Sequence, residues 1–101
     1  MRYFSWDNNK ARANVRKHGV DFETAARAFL DPFAVRKFDR NVSGETRWHT
    51  TGMVDGHLLL LVVHTSQEDN GDEYIRIISA RPATRDEEKT YFSDNRELGY
   101  F

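Results

Sequence analysis

The sequence predicts an α+β domain in which two N-terminal helices and a C-terminal helix pack on one face of an antiparallel, four- to five-stranded meander sheet. Three observations carry that expectation. Apolar residues at Phe22, Ala25, Ala26, Phe29 and Leu30 repeat with helical spacing and stop at Asp31-Pro32. From Phe33 to Arg81 the pattern changes to short strand-like runs separated by turn residues. Thr84 and Glu87 then stand at capping-box spacing before a final helix.

The elements follow in order. Arg2 to Trp6 is a short aromatic run suited to an edge strand, and Asp7 or Asn8 caps the helix that follows. That helix carries Ala11, Val15 and His18 on one face and stops at Gly19. Asp21 caps the second helix. Phe33 to Asp39 forms a strand, Asn41 to Gly44 a loop, and Thr46 to Val54 the next strand. Asp55-Gly56 is a hairpin signal that demands positive φ at both positions. His57 to Thr65 is apolar on both faces and suits a central strand. Gln67 to Asp72 is a polar, acidic loop, Glu73 to Arg81 the last strand, and Thr84 to Phe92 the last helix. Residues 1–92 therefore form a single domain, and 93–101, which lack a clear period, a C-terminal tail.

Composition narrows the function. The 101 residues contain no cysteine, which removes disulfide and thiolate chemistry and suits a reducing, cytoplasmic setting. The opening MRYFSWDNNK has no apolar run of a secretory signal, and LLLLVV at Leu58 to Val63 is too short to span a bilayer. The formal net charge of -1 argues against a strong, non-specific nucleic-acid binder. It conceals an asymmetry: residues 1–50 hold ten Lys/Arg against six Asp/Glu, and residues 51–101 hold five against ten. A basic first half is able to present a cationic face to an anionic partner, and equally to form a solvated surface of mixed charge.

The most informative segment is Tyr74 to Phe92, where Arg76, Ser79 and Arg81 interrupt an apolar strand. A guanidinium among isoleucines needs a partner, either an internal carboxylate or an outside anion such as phosphate. Alternation places Ser79 and Arg81 on one face, with Arg76 opposite unless a bulge resets the register. On the second meander strand Glu45, Arg47, His49 and Thr51 share a face.

Metal-independent RNA cleavage needs a base for the 2′-hydroxyl, cations for the phosphorane and an acid for the departing 5′-oxygen. Glu45 and His49 are candidates for proton transfer, and Arg47, Arg76 and Arg81 for charge. Against this stands a structural alternative, in which Glu45 and Arg47 pair and His49 is simply a satisfied strand residue. Lys17 and His18 complement the dipole of the first helix or else line the rim of a groove. His57 and His64 lie on opposite faces of one strand without a third ligand nearby, so neither a metal nor a cofactor is expected. Trp6, Trp48 and Tyr91 read as core or interface residues rather than base-stacking platforms. Glycine-rich phosphate loops and nucleophile elbows are missing from the sequence.

An ordered set of short motifs adds a resemblance. F-x-W-D at Phe4 to Asp7, N-x-x-K-H-G-V at Asn14 to Val20, F-x-x-A at Phe22 to Ala25 and F-x-D-P at Phe29 to Pro32 come first. G-E-x-R at Gly44 to Arg47, R-I-I-S-A-R-x-A at Arg76 to Ala83 and the downstream Tyr91 follow. Together they resemble the BrnT-type toxins of bacterial type II toxin–antitoxin systems over residues 4–92. The resemblance implies a RelE-like fold and a small ribonuclease toxin that cuts RNA without a metal and inhibits growth. It further implies neutralisation by a BrnA-type antitoxin whose DNA-binding domain lets the hetero-oligomeric pair repress its own promoter. Glu45, Arg47, Arg76, Ser79 and Arg81 fall on the matched motif positions, as do Lys17 and His18; His49 rests on strand geometry alone. Two other readings are a catalytically weak module that binds the antitoxin and acts with it at the promoter, and a stand-alone interaction domain.

Overall fold

A computed structural model describes residues 1–97. Strand β1 (Arg2–Ser5) leads into α1 (Asn8–His18), α2 (Phe22–Arg27) and a single 3-10 turn, Ala28–Leu30. The sheet continues with β2 (Val35–Val42), β3 (Glu45–Val54), β4 (Leu58–His64), β5 (Gln67–Asp69) and β6 (Asp72–Pro82), and α3 (Arg85–Glu97) is the last described element.

The helix ends obey local chemistry. Asp7 accepts a hydrogen bond from the Lys10 amide at 2.9 Å, and Asp21 accepts one from Thr24 at 2.7 Å. That amide bond holds the Asp21 carboxyl below its ordinary pKa. Gly19 ends α1 in the left-handed region at φ 71°. The second helix tightens into 3-10 geometry over its expected last turn, so Phe29 still faces the core. Strand β2 starts at Val35 rather than Phe33, because Asp31 holds the Phe33 amide at 2.8 Å and its carbonyl accepts from Ala34.

The sheet departs from the expected antiparallel meander in two ways. Its order is β1-β6-β4-β3-β2, and β1 runs parallel to β6, which makes it mixed. The acidic segment is not a loop: β5 folds back on β6 in a tight hairpin, giving six strands among the described residues. The cause is Asn70-Gly71, both in the left-handed region at φ 51° and 84°, which a two-residue turn of this hand requires. Ser43-Gly44 makes the same kind of turn and brings Val42 opposite Glu45. At the third hairpin Asp55 and Gly56 both have positive φ, and the loop also includes His57.

One face of the sheet buries the core. Val54, Leu60, Val62, Ile75, Ile77 and Ala80 pack against Val20, Phe22, Ala25, Ala28 and Phe29. Gly52 lies so near the 3-10 turn that a Cβ would sit 2.2 Å from the Ala28 carbonyl oxygen, so no side chain fits there. Buried Asn14 closes the unpaired edge of β6, donating to the Ala80 and Val20 carbonyls and accepting from the Ala80 amide.

His64 is fully buried, bonded to Thr50 Oγ1 at 2.7 Å and to the Thr65 carbonyl at 3.0 Å, with Phe29 edge-on. Burial depresses its pKa to about 4, so the ring stays neutral, donating from Nδ1 to the carbonyl and accepting the threonine hydroxyl at Nε2. It is a satisfied core histidine.

The third helix corrects the expectation that all helices share one face. Val35 and Thr51 form a cross-strand pair on the side away from the 3-10 turn, and Asp86, Glu87 and Thr90 of α3 gather around them. The sheet is therefore sandwiched, with α1 and α2 behind and α3 across one end of the front. A capping box starts α3 as expected, with Glu87 accepting from the Thr84 amide and Thr84 from the Glu87 amide. The helix runs past Phe92 to Glu97: Asp94 pairs with Lys37 at 3.2 Å, and buried Asn95 donates to the Phe33 carbonyl. Of the tail expected from 93 onward, 98–101 lie outside the described residues.

Candidate active site

An irregularity in β6 composes the front face. Ser79 pairs with Val63, but the next β4 residue, His64, pairs with Ile77, so Ile78 is an extra residue. The bulge lets both Ala80 and Ile77 face the core. It also turns Arg76 to the same side as Ser79 and Arg81. One cross-strand row on this side reads Lys37, His49, Val63, Ser79, and the next reads Val35, Thr51, Leu61, Arg81. Arg47 and Glu45 continue β3 toward the Ser43-Gly44 turn, beside Arg76.

The three arginines meet different fates. Arg81 makes a bidentate fork with Glu87 at 2.7 and 2.8 Å, its Nη1 also reaching the Pro82 carbonyl at 3.3 Å. The Arg81 hydrogen bonds push the Glu87 carboxyl down to about 2, and the same bonds raise the arginine pKa. Here the internal carboxylate is the partner.

Arg76 and Arg47 instead share Glu45. Arg76 Nη2 donates to Glu45 Oε1 at 2.7 Å, while Arg47 Nε stands 3.8 Å from the same oxygen. The Arg47 Nε is buried and makes no hydrogen bond within the described residues. Two guanidiniums against one carboxylate leave this corner one positive charge in excess.

A polar cavity of about 380 Å³ opens beside the shared carboxylate, lined by Ser5, Glu45, Thr65, Gln67, Tyr74 and Arg76 among others. His49 and Ser79 lie a row away, partly buried on the same face. Arg81 stands further on, beneath α3. Lys17 and His18 end α1, on the helical layer behind the sheet; among the described residues no hydrogen bond or ion pair joins either to this cluster. Glu68 is directed away from the corner and lines a separate cavity with Arg36 and Glu73. A larger depression of about 440 Å³ near Leu30, Met53 and Tyr91 is mostly apolar and holds none of the expected site residues.

Sequence reasoning missed the cavity's other walls. Tyr74 is two residues from Arg76 and alternates onto its face, and Gln67 arrives only through the Asn70-Gly71 hairpin. Strand alternation back from Arg76 finds the tyrosine without reference to the bulge, which lies beyond Arg76 at Ile78.

Comparison with known proteins supplies the family. A model described as the ribonuclease toxin BrnT of type II toxin–antitoxin systems matches residues 6–87. The crystal structure of the Brucella abortus ribonuclease toxin BrnT is similar to this chain, with a TM-score of 0.57 and 24% sequence identity over 84% of this chain and 99% of that one. At that identity the likeness bears on fold alone. No curated protein matches the chain. With the family model spanning most of its length, the chain belongs to the BrnT family of ribonuclease toxins of type II toxin–antitoxin systems.

Proposed function

We propose that the chain is a metal-independent endoribonuclease toxin whose active centre is the corner formed by Glu45, Arg47 and Arg76, with His49 and Ser79 beside it. The observation that carries this reading is the excess positive charge around Glu45 at the wall of a polar cavity. A phosphodiester entering there meets the outer guanidinium of Arg76, while Arg47, whose Nε is buried and does not line the cavity, adds charge beside the same carboxylate.

The chemistry needs one proton taken and one given. As the 2′-hydroxyl attacks phosphorus, its proton leaves to a base; as the P–O5′ bond breaks, the departing oxygen takes a proton from an acid. Glu45 and His49 supply these transfers, imidazole being suited to both directions near neutral pH. Arg47 and Arg76 stabilise the charge that grows on the phosphorane oxygens. Ser79 ends His49's cross-strand row, beyond Val63, as a hydrogen-bond donor, and Lys17 adds positive charge at a distance, with His18 next to it in sequence. Arg81, saturated by Glu87, fixes α3 across the sheet rather than holding phosphate.

Membership in a type II system implies a protein antitoxin as partner. A BrnA-type antitoxin with a DNA-binding domain would complete a hetero-oligomer that reaches operator DNA only through the antitoxin, in the cytoplasm. Among the described residues no helix is long and apolar enough to cross a membrane.

One observation favours a second reading: Arg47, Arg76 and Arg81 all have a carboxylate within 4 Å, as in a module that binds its antitoxin without catalysis. Purified protein incubated with RNA in excess EDTA separates the two. Cleavage that persists in EDTA supports the ribonuclease; intact RNA with a tight antitoxin complex supports the module.

A further inference from the structure

We infer that Tyr74 and Tyr3 form a stacking platform for an unpaired RNA base, next to the phosphate that Arg76 holds; this rests on the ribonuclease reading. The two tyrosines are cross-strand partners in the parallel β1–β6 pair, and the following same-face pair in that register is Ser5 with Arg76. Their rings stack at 5.2 Å between centroids and 18° between planes. Both stay largely open, at 46% exposure for Tyr74 and 44% for Tyr3. Tyr74 also lines the polar cavity with Glu45 and Arg76.

Each feature points to a nucleotide. Side chains two apart on a strand stand about 7 Å from one another, comparable with the separation of a base from its neighbouring phosphate. The corner carries excess positive charge, which attracts a polynucleotide backbone. The cavity walls are polar at Ser5, Thr65 and Gln67, unlike an apolar groove for a protein helix. An aromatic face beside a cationic track is how single strands are held, because any unstacked base can lie on it. A duplex, whose bases are already stacked, gains nothing from the platform.

The test uses the whole chain and a 2′-O-methylated oligonucleotide, which binds but offers no 2′-hydroxyl for attack. Tyr74→Ala should weaken binding roughly 5- to 150-fold, Tyr74→Phe should restore it, and Tyr3→Ala should weaken it less. An abasic scan of the oligonucleotide should find a position whose missing base weakens the wild type and leaves Tyr74→Ala unaffected. This arm of the wild type needs no variant, and Tyr3→Ala stands in if Tyr74→Ala does not fold. Unchanged affinity in a folded Tyr74→Ala, or a flat abasic scan, overturns the platform. So does loss of antitoxin binding with RNA affinity intact, which would assign the pair to a protein partner. A wild type that binds no RNA removes the ribonuclease reading and the platform together, whereas cleavage undisturbed by Tyr74→Ala removes the platform alone.

Discussion

Arg81 and Arg76 leave the same strand on the same side of the sheet, five residues apart in sequence, yet they have opposite electrostatic settings. Arg81 has one carboxylate to itself, in a two-bond fork that a helix cap holds in place. Arg76 shares one oxygen of Glu45 with Arg47, whose Nε is left without a hydrogen bond. A saturated guanidinium is a fastener, because an incoming phosphate must first displace its carboxylate. An under-neutralised pair is a receptor, because an anion completes what one carboxylate leaves unfinished. On the proposed reading, arginines on one strand would divide between architecture and chemistry according to whether the carboxylate folded against each is shared with a second guanidinium.

The largest effect that separates the two settings is on cleavage. Arg47→Ala or Arg76→Ala should lower single-turnover RNA cleavage by roughly 100-fold or more with the melting temperature nearly unchanged. Arg81→Ala should instead lower the melting temperature while folded protein still cuts. The reverse pattern would exchange the two assignments.

Acid titration of stability comes next in size. His64 has a folded pKa of about 4 against an ordinary 6.5, so the unfolded chain takes its proton first as pH falls. Stability present above pH 6.5 should be lost progressively down to pH 4, by up to about 3 kcal/mol. Glu87 contributes in a lower window: its stabilisation is complete above pH 4.5 and disappears toward pH 2. Chemical denaturation across pH should therefore show a first decline that a His64→Gln variant flattens, with the Arg81 fork still intact. A decline in that range insensitive to His64 would mean that another group carries it.

Smallest is the same isosteric change at the two carboxylates. Glu87→Gln keeps an oxygen for the Thr84 amide but removes the fork's charge, and should cost about 1 kcal/mol by urea unfolding. Glu45→Gln should leave stability within about 0.5 kcal/mol, slow cleavage, and tighten binding of an uncleavable RNA. Equal stability losses at the two sites would erase the distinction.

Much of this was legible in the sequence. Helical spacing located α2, the capping box located the start of α3, and alternation put Glu45, Arg47 and His49 on one face. The departures have local causes. Asn70-Gly71 is as strong a hairpin signal as Asp55-Gly56, but surrounding acidic residues made it read as loop. The bulge at Ile78 follows from three-dimensional demand, because Ala80 and Ile77 both have core partners that a regular strand would place on opposite sides. The side chosen by α3 depends on Tyr91 reaching Asp31 at 2.6 Å and on Asn95 reaching Phe33, contacts sixty or more residues apart in the chain. Glu87 was visible as a capping residue; its second bond, to Arg81, was not, since a capping box says nothing of what lies across from it.

The most direct test follows the arginine side-chain Nε–H signals by NMR while an uncleavable 2′-O-methyl RNA is added. The signals of Arg47 and Arg76 should move, Arg76 most because it lines the cavity, while that of Arg81 stays in place. Movement at Arg81 with Arg47 and Arg76 unmoved would contradict the account.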